Sequence, residues 1–250
     1  MYQVGIDIGS SAAKVAVMEN GAVIKTLLLS TGFNSRNTAD EIYQTLEKDG
    51  INKDNASYVA TGYGRISVPY ADRSVTEITC HGKGAWFLFG ENGTVVDIGG
   101  QDTKGIAVKN GRVMKFIMND KCSAGTGKFL EVMTNRLGLT QKELSELARR
   151  GNPITISSMC TVFAESEVIS LIGKGTPRED IANGVIDSVV MKVASLIAQV
   201  QGDQYFLTGG LCEDEYVVER LEKVLGAPVK SQPLARYAGA IGAALMAEEE

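Results

Sequence analysis

Residues 5–23 read GIDIGSSAAKVAVMENGAV, and residues 96–113 read VDIGGQDTKGIAVKNGRV. At a constant offset of 90, Asp7 falls on Asp97, Ile8 on Ile98, Gly9 on Gly99 and Lys14 on Lys104. Asn20-Gly21 falls on Asn110-Gly111, and Val23 on Val113. Seven identities in one ungapped register of seventeen positions mark an internal duplication. Each copy reads as strand, glycine turn, strand, Asn-Gly turn, strand. Asn-Gly selects the type I′ turn, whose twist matches that of the strands it joins.

Helical patterns follow both copies. Residues 36–48 set Ile42, Tyr43 and Leu46 on one face, and residues 77–89 form a second, largely buried candidate. In the second half, Thr140 and Glu143 have the spacing of a capping box, opening a helix to about Arg150. A long helix is expected from Pro177, read as a first-turn proline, to about Val200. Residues 204–208 read as a strand ending at Gly209-Gly210, followed by a helix over 213–225. A last helix of small residues runs from Arg236 to Met246. Hairpins interleaved with helices predict two α/β lobes related by duplication. The expected division is 1–91 with 233–250 against 92–232, crossing near Glu91-Asn92-Gly93.

Composition narrows the function classes. Hydrophobic residues make up 44% and charged residues 22% of 250, an ordinary globular balance. No run of apolar residues approaches eighteen, so no membrane span is expected. A net charge of -5 without a clustered basic face argues against nucleic acid. The opening Met1-Tyr2-Gln3-Val4 runs straight into a strand with no leader pattern, so the expected location is cytoplasmic. His81 is the single histidine, which argues against Ser-His-Asp chemistry and most zinc sites. Cys80, Cys122, Cys160 and Cys212 form no CxxC pair.

The duplicated turns suggest a grip on phosphate and metal. In Asp7-Ile8-Gly9-Ser10-Ser11 and Asp97-Ile98-Gly99-Gly100-Gln101 a carboxylate ends a strand, and a glycine then lets backbone N–H groups face an anion. Two such hairpins would hold β- and γ-phosphates, with the aspartates near Mg²⁺, which keeps waters and takes few carboxylates. No GxxxxGK[ST] is present, so the phosphate site is not a P-loop. Two cysteines stand just before helices, in NDKCSAGTG (119–127) and SSMCTVFAE (157–165). A helix N-terminus favours a thiolate or an anionic cluster. On the residues alone, buried reduced thiols and half of a four-cysteine iron–sulfur site both remain open.

The paired DIG hairpins, the Thr208-Gly209-Gly210 turn and the closing Ala238-Gly239-Ala240-Ile241-Gly242 helix resemble the actin, sugar kinase and Hsp70 ATPase superfamily. That resemblance implies two ribonuclease H-like lobes with ATP in the cleft between them. NDKCSAGTGKFLEVM, ISSMCTVFAESEVIS, ATGYGR (60–65), EITCHGKGA (77–85) and DIGGQDTK (97–104) are more specific. They resemble the 2-hydroxyacyl-CoA dehydratase activators, an ATPase family shared with benzoyl-CoA reductase components.

The family resemblance implies a homodimer holding one [4Fe-4S] cluster through Cys122 and Cys160 of both chains. It implies ATP-driven transfer of a low-potential electron from ferredoxin or flavodoxin to a partner iron–sulfur enzyme. Asp7 and Asp97 would organise Mg²⁺ through water. Gly9, Ser10, Ser11, Ala12, Ala13 and Lys14, with Gly99 and Gly100, would hold the phosphates of ATP and ADP. Gln101 would position the attacking water, with Asp102 beside it. Gly209 and Gly210 would approach the adenosine. Gly125-Thr126-Gly127, one turn after Cys122, would lie near the nucleotide and link it to the cluster. The chain departs from the family pattern at Asp214, where Asn is usual, and at Arg236, where Gln precedes the Tyr. The alternatives are a reductase serving a double-cubane cluster protein and a small-molecule kinase of the same fold.

Overall fold

Asn20 and Gly21 have φ of 51° and 75°, and Asn110 and Gly111 have φ of 50° and 72°. Both pairs therefore adopt the left-handed backbone that a type I′ turn needs, which Asn and Gly reach at little cost. The computed structural model describes residues 1–157 and 160–247. Ser158 and Met159, within the second cysteine segment, lie outside the described residues.

The first copy forms an antiparallel meander of β1 (Tyr2–Ile8), β2 (Ala12–Glu19) and β3 (Ala22–Ser30). The chain then crosses through α1 (Ser35–Lys48) to β4 (Ala56–Thr61), which lies parallel to β1, and on to β5 (Arg73–Ser74). After α2 (Glu77–Phe89) the second copy supplies β6 (Gly93–Ile98), β7 (Thr103–Lys109) and β8 (Arg112–Asn119). Its remaining strands are β9 (Tyr205–Gly209) and β10 (Val229–Lys230). Sheet orders are β3-β2-β1-β4-β5 and β10-β9-β6-β7-β8, the second being the first read backwards. The duplication thus covers five strands, two more per copy than the sequence repeat displays.

The chain divides into two compact units, Met1–Val95 with Ile106–Phe116 and Leu234–Glu250, and Val96–Gly105 with Ile117–Pro233. In the first unit, Ala39, Ile42 and Leu46 of α1 join Val4, Ile6, Ile8 and Tyr58 in one buried cluster. β1 is buried on both faces, as a central strand covered by helices must be. Its other face meets α8 (Ala238–Met246) at backbone distance. A Cβ on Gly5 would stand 1.8 Å from the Ala240 carbonyl oxygen, and one on Gly84 would stand 1.9 Å from that of Ala238. Glycine is required at both positions because no side chain fits between the backbones.

In the second unit, α6 (Arg178–Ile197) is the core helix, packed by α3 (Gly127–Leu137), α4 (Gln141–Ala148), α5 (Thr161–Gly173) and α7 (Glu215–Leu225). With its continuation to Val200, α6 is the described stretch long and apolar enough to cross a membrane by length and composition. Its buried residues run along most of its length, from Ile181 to Ile197, as expected of a core helix. The capping box forms, Thr140 and Glu143 bonding reciprocally. Pro177 is the N-cap of α6 rather than part of its first turn. Helix α7 starts at Glu215, later than expected, because the Asp214 side chain accepts the Val217 N–H and ends the approach chain.

Candidate nucleotide and cysteine sites

β1 carries Asp7 to its end, opposite Lys14 on β2 and Thr61 on β4. The turn is closed by Gly9 N–H donating to the Ala12 carbonyl at 3.1 Å. It is braced by Thr31, whose hydroxyl donates to Gly9 O at 2.7 Å and whose N–H donates to Ser11 O at 3.1 Å. Ser10 is half-buried, Ser11 exposed, Ala12 half-buried and Ala13 buried. Asp7 is 3% exposed and sits in a cradle of glycines. A Cβ on Gly62 would stand 2.4 Å from Asp7 Oδ1, and one on Gly239 would stand 2.6 Å from Oδ2. The same Gly239 position lies 2.8 Å from Cε1 of buried His81, whose Nδ1 is 3.0 Å from Glu77 O. Among the described residues, neither the Asp7 carboxylate nor the Lys14 ammonium has a hydrogen bond or ion pair.

The second turn repeats the backbone and changes the side chains. Gly99 N–H donates to Asp102 O at 2.9 Å. Asp97, also 3% exposed, accepts from Thr208 Oγ1 at 3.0 Å and from Lys104 Nζ at 3.3 Å. Lys104 Nζ lies 2.8 Å from Asp102 as well. Gly209, with φ of 84°, lies against this strand end, where a Cβ would meet Ile98 O at 2.4 Å and Asp97 Oδ1 at 2.9 Å. Gly210 has open space on its side-chain side, and Gln101 is exposed at the tip of the turn. The carbonyls of Gly99 and Gly100 accept the N–H groups of Gly127 and Lys128 at 2.9 and 2.8 Å. The start of α3 is therefore bonded to the turn itself. Gly125 O accepts from Thr103 Oγ1 at 2.7 Å, and the buried Thr126 hydroxyl donates to Ser123 O at 2.6 Å.

Cys122 and Cys160 are exposed, and Cys160 is the N-cap of α5. Their following residues meet, with Ser123 Oγ 2.8 Å from Thr161 Oγ1. Asn119 shapes the first segment by donating to Cys122 O at 2.8 Å and accepting the Cys122 N–H at 3.2 Å. Cys80 and Cys212 are buried. Burial pushes the Cys80 thiol up to about 11, so it stays protonated and is a poor ligand or nucleophile. No group of three or more His, Cys, Asp or Glu side chains stands together among the described residues. One chain thus brings two cysteine segments together and offers two exposed thiols.

The matching family model, BadF/BadG/BcrA/BcrD ATPase family, covers residues 4–247. The chain belongs to that ATPase family. It is 43% identical to the (R)-2-hydroxyglutaryl-CoA dehydratase activating ATPase of Acidaminococcus fermentans, over 99% of this chain and 97% of the relative. The crystal structure of component A of that dehydratase superposes with a TM-score of 0.93, covering 98% of this chain and 97% of that one. The activator of 2-hydroxyisocaproyl-CoA dehydratase from Clostridium difficile, solved with bound ADPNP, is 36% identical. Its TM-score is 0.92, with 99% and 94% of the two chains covered. A ROK family glucokinase from Streptomyces griseus, 16% identical with a TM-score of 0.62 and all of both chains covered, shares the fold alone. The family and fold expected from the duplicated hairpins and cysteine segments are those of the chain.

Six neighbours of the predicted residues stand in quoted motifs but carry no role of their own in the sequence: Thr61, Gly62, Thr208, Gly239, Ser123 and Thr161. A signal for the first three existed. Thr61-Gly62 and Thr208-Gly209 each close a strand beside the duplicated aspartate, and both glycines have φ of 84°. Two residues are too short a repeat to stand out without the sheet order.

Proposed function

We propose that the protein is an ATP-hydrolysing activator that passes a low-potential electron to a partner iron–sulfur enzyme of the 2-hydroxyacyl-CoA dehydratase type. It works as a homodimer with one [4Fe-4S] cluster, receiving electrons from ferredoxin or flavodoxin. The observation that carries this proposal is the Ser123–Thr161 contact, which joins the two segments bearing exposed cysteines. Such a cluster takes four thiolates, and a twofold axis would supply the second Cys122 and Cys160. When bound, the cluster supplies a one-electron centre; the chain supplies its thiolates and the N-terminal ends of α3 and α5 behind them. The dehydratase partner is proposed from the names of the similar activators.

For the nucleotide, the ATPase family and the ADPNP-bound relative support ATP and ADP as ligands. Asp7 and Asp97 would stand nearest Mg²⁺, through water. A buried carboxylate with no cationic partner among the described residues, as at Asp7, suits a divalent cation. Backbone N–H groups of residues 10–13 and of Gly100 would hold phosphate oxygens, with Ser10, Ser11 and Lys14, while the Gly9 and Gly99 N–H groups close the turns that present them. Exposed Gln101 would orient the attacking water beside Asp102, and the open side of Gly210 would admit the adenosine. Because α3 is bonded to the carbonyls of Gly99 and Gly100, a shift of that turn on hydrolysis would move the Cys122 segment.

Anaerobic reconstitution with iron and sulfide, followed by iron analysis and absorbance, tests the cluster. Cys122→Ser and Cys160→Ser should each lose the iron, while Cys80→Ser and Cys212→Ser should keep it. A colourless reconstituted wild type would overturn the proposal.

A further inference from the structure

The two hairpins have one backbone and two side-chain plans. Both turns close with the same hydrogen bond, from Gly9 N–H to Ala12 O and from Gly99 N–H to Asp102 O. Both aspartates stand beside a Thr-Gly pair whose glycine has φ of 84°. At each equivalent position, however, the second hairpin has a bonded partner and the first has none among the described residues. Lys104 lies between Asp97 at 3.3 Å and Asp102 at 2.8 Å, whereas Lys14 faces Ala12 where the second carboxylate would be. Thr208 donates its hydroxyl to Asp97 at 3.0 Å. Its counterpart Thr61, fully buried and across the β1–β4 register from Asp7, has no hydrogen-bond partner of normal geometry. The thiol of Cys80, a weak donor and acceptor, lies beside it.

A buried ammonium held between two carboxylates, one of which also accepts from a hydroxyl, is a closed set, with its charges answered inside the protein. A buried carboxylate, a buried hydroxyl and a lysine with no such partners form an open set, which an outside cation and anion would complete. We infer that the duplicated hairpins have divided their work. The first presents side chains (Asp7, Lys14 and Thr61) to the metal and phosphate. The second is a latch in which Lys104 is a positioning residue, fixing the Gly99-Gly100 turn so that its backbone meets the ligand. The inference rests on the nucleotide-binding proposal above. It also accounts for the tie to α3, since a turn whose own shape is held by Lys104 moves with α3 as one piece.

The test pairs equivalent substitutions in the anaerobically purified full-length protein, with two readouts. One is the melting temperature without nucleotide, and the other is calorimetric binding of ADPNP titrated with Mn²⁺. Asp7→Asn and Lys14→Met should weaken Mn²⁺-dependent ADPNP binding at least about tenfold with no fall in melting temperature, because neither breaks an internal pair. Asp7→Asn should raise it slightly. Lys104→Met and Asp97→Asn should each lower the melting temperature by on the order of 10 °C. Their double variant should recover at least half of that loss, since it removes both buried charges together. Asp97→Asn should shift the Mn²⁺ requirement far less than Asp7→Asn does.

Equal Mn²⁺ shifts from the two aspartate variants would overturn the division, and so would additive losses in the double variant. If Asp97→Asn alone does not fold, its double variant with Lys104→Met should still fold, and failure of that double variant to fold is fatal. A wild type that binds no ADPNP would overturn the nucleotide proposal, while the melting-temperature cycle would still decide the latch.

Discussion

The strand end at Asp7 is enclosed by backbone, whereas the strand end at Asp97 is enclosed by side chains. Gly62 and Gly239 crowd the first carboxylate so closely that a methyl group at either would collide with it. Lys104 and Thr208 hold the second through a salt bridge and a hydrogen bond. Among the described residues, the second turn and not the first is bonded to a helix that follows an exposed cysteine. Duplication has therefore kept what backbone geometry imposes, the turn and its left-handed glycines, and released what side chains decide. The first copy keeps its polar groups uncommitted, and the second converts them into a scaffold for α3.

The largest effect should come where the copies agree. Gly62→Val and Gly209→Val each force a β-branched residue to φ of 84° against a carbonyl oxygen. Each should cost more than about 4 kcal/mol, enough to leave little folded protein. Gly210→Ala, pointing into open space, should be nearly neutral. Urea denaturation of the soluble fractions measures this, and tolerance of valine at one glycine but not the other would break the equivalence of the two turns.

Next, Asp7→Asn should lower ATP turnover by about 10²–10³-fold, the usual loss when one preorganised electrostatic contact is removed. Steady-state phosphate release checks it. Wild-type turnover would mean that the uncommitted carboxylate is not the one facing the cation.

A third measurement isolates the buried thiol of Cys80. Cys80 has its thiol raised from 9.0 to about 11, first by burial and then by the nearby Asp7 charge, against a lowering contact from Thr61. Between pH 9 and 11 the unfolded chain has lost this proton and the folded chain has kept it. Stability therefore falls as pH rises through that window, by about 2–3 kcal/mol in all. Cys80→Ala should remove this share of the fall and leave the part above pH 10 that the Tyr58 and Tyr70 hydroxyls, raised by burial, contribute. Denaturant midpoints at pH 8, 9, 10 and 11 give the slopes.

The smallest effect concerns the hydroxyl pair. Ser123→Ala and Thr161→Ala should each cost about 1 kcal/mol of stability, with a coupling of similar size in the double variant. Additivity would show that the two cysteine segments are held together by something else.

Much of this was legible from residues. Seven identities at one offset implied the paired sheets, and the Asn-Gly turns, the Thr140 capping box and the cysteine segments stand where expected. Helix starts slipped by a few residues where a capping side chain intervened, as at Asp214. The pairing of β4 with β1 and of β9 with β6 was out of reach, because Ala56–Thr61 and Tyr205–Gly209 share little beyond the closing threonine. A strand buried on both faces needs only apolar residues, so two copies can diverge freely while their order persists.

By itself the sequence determined the duplication, the turn types, the positions of the aspartates and cysteines, and the family, because these rest on local residue identity and spacing. Tertiary structure alone decided which groups are committed. Lys14 and Lys104 occupy the same place in the repeat, and their difference comes from Ala12 against Asp102 two residues away and from threonines 47 and 104 residues further along. Whether a buried charge is answered depends on what the fold brings within about 3 Å of it, and chain distance carries no record of that.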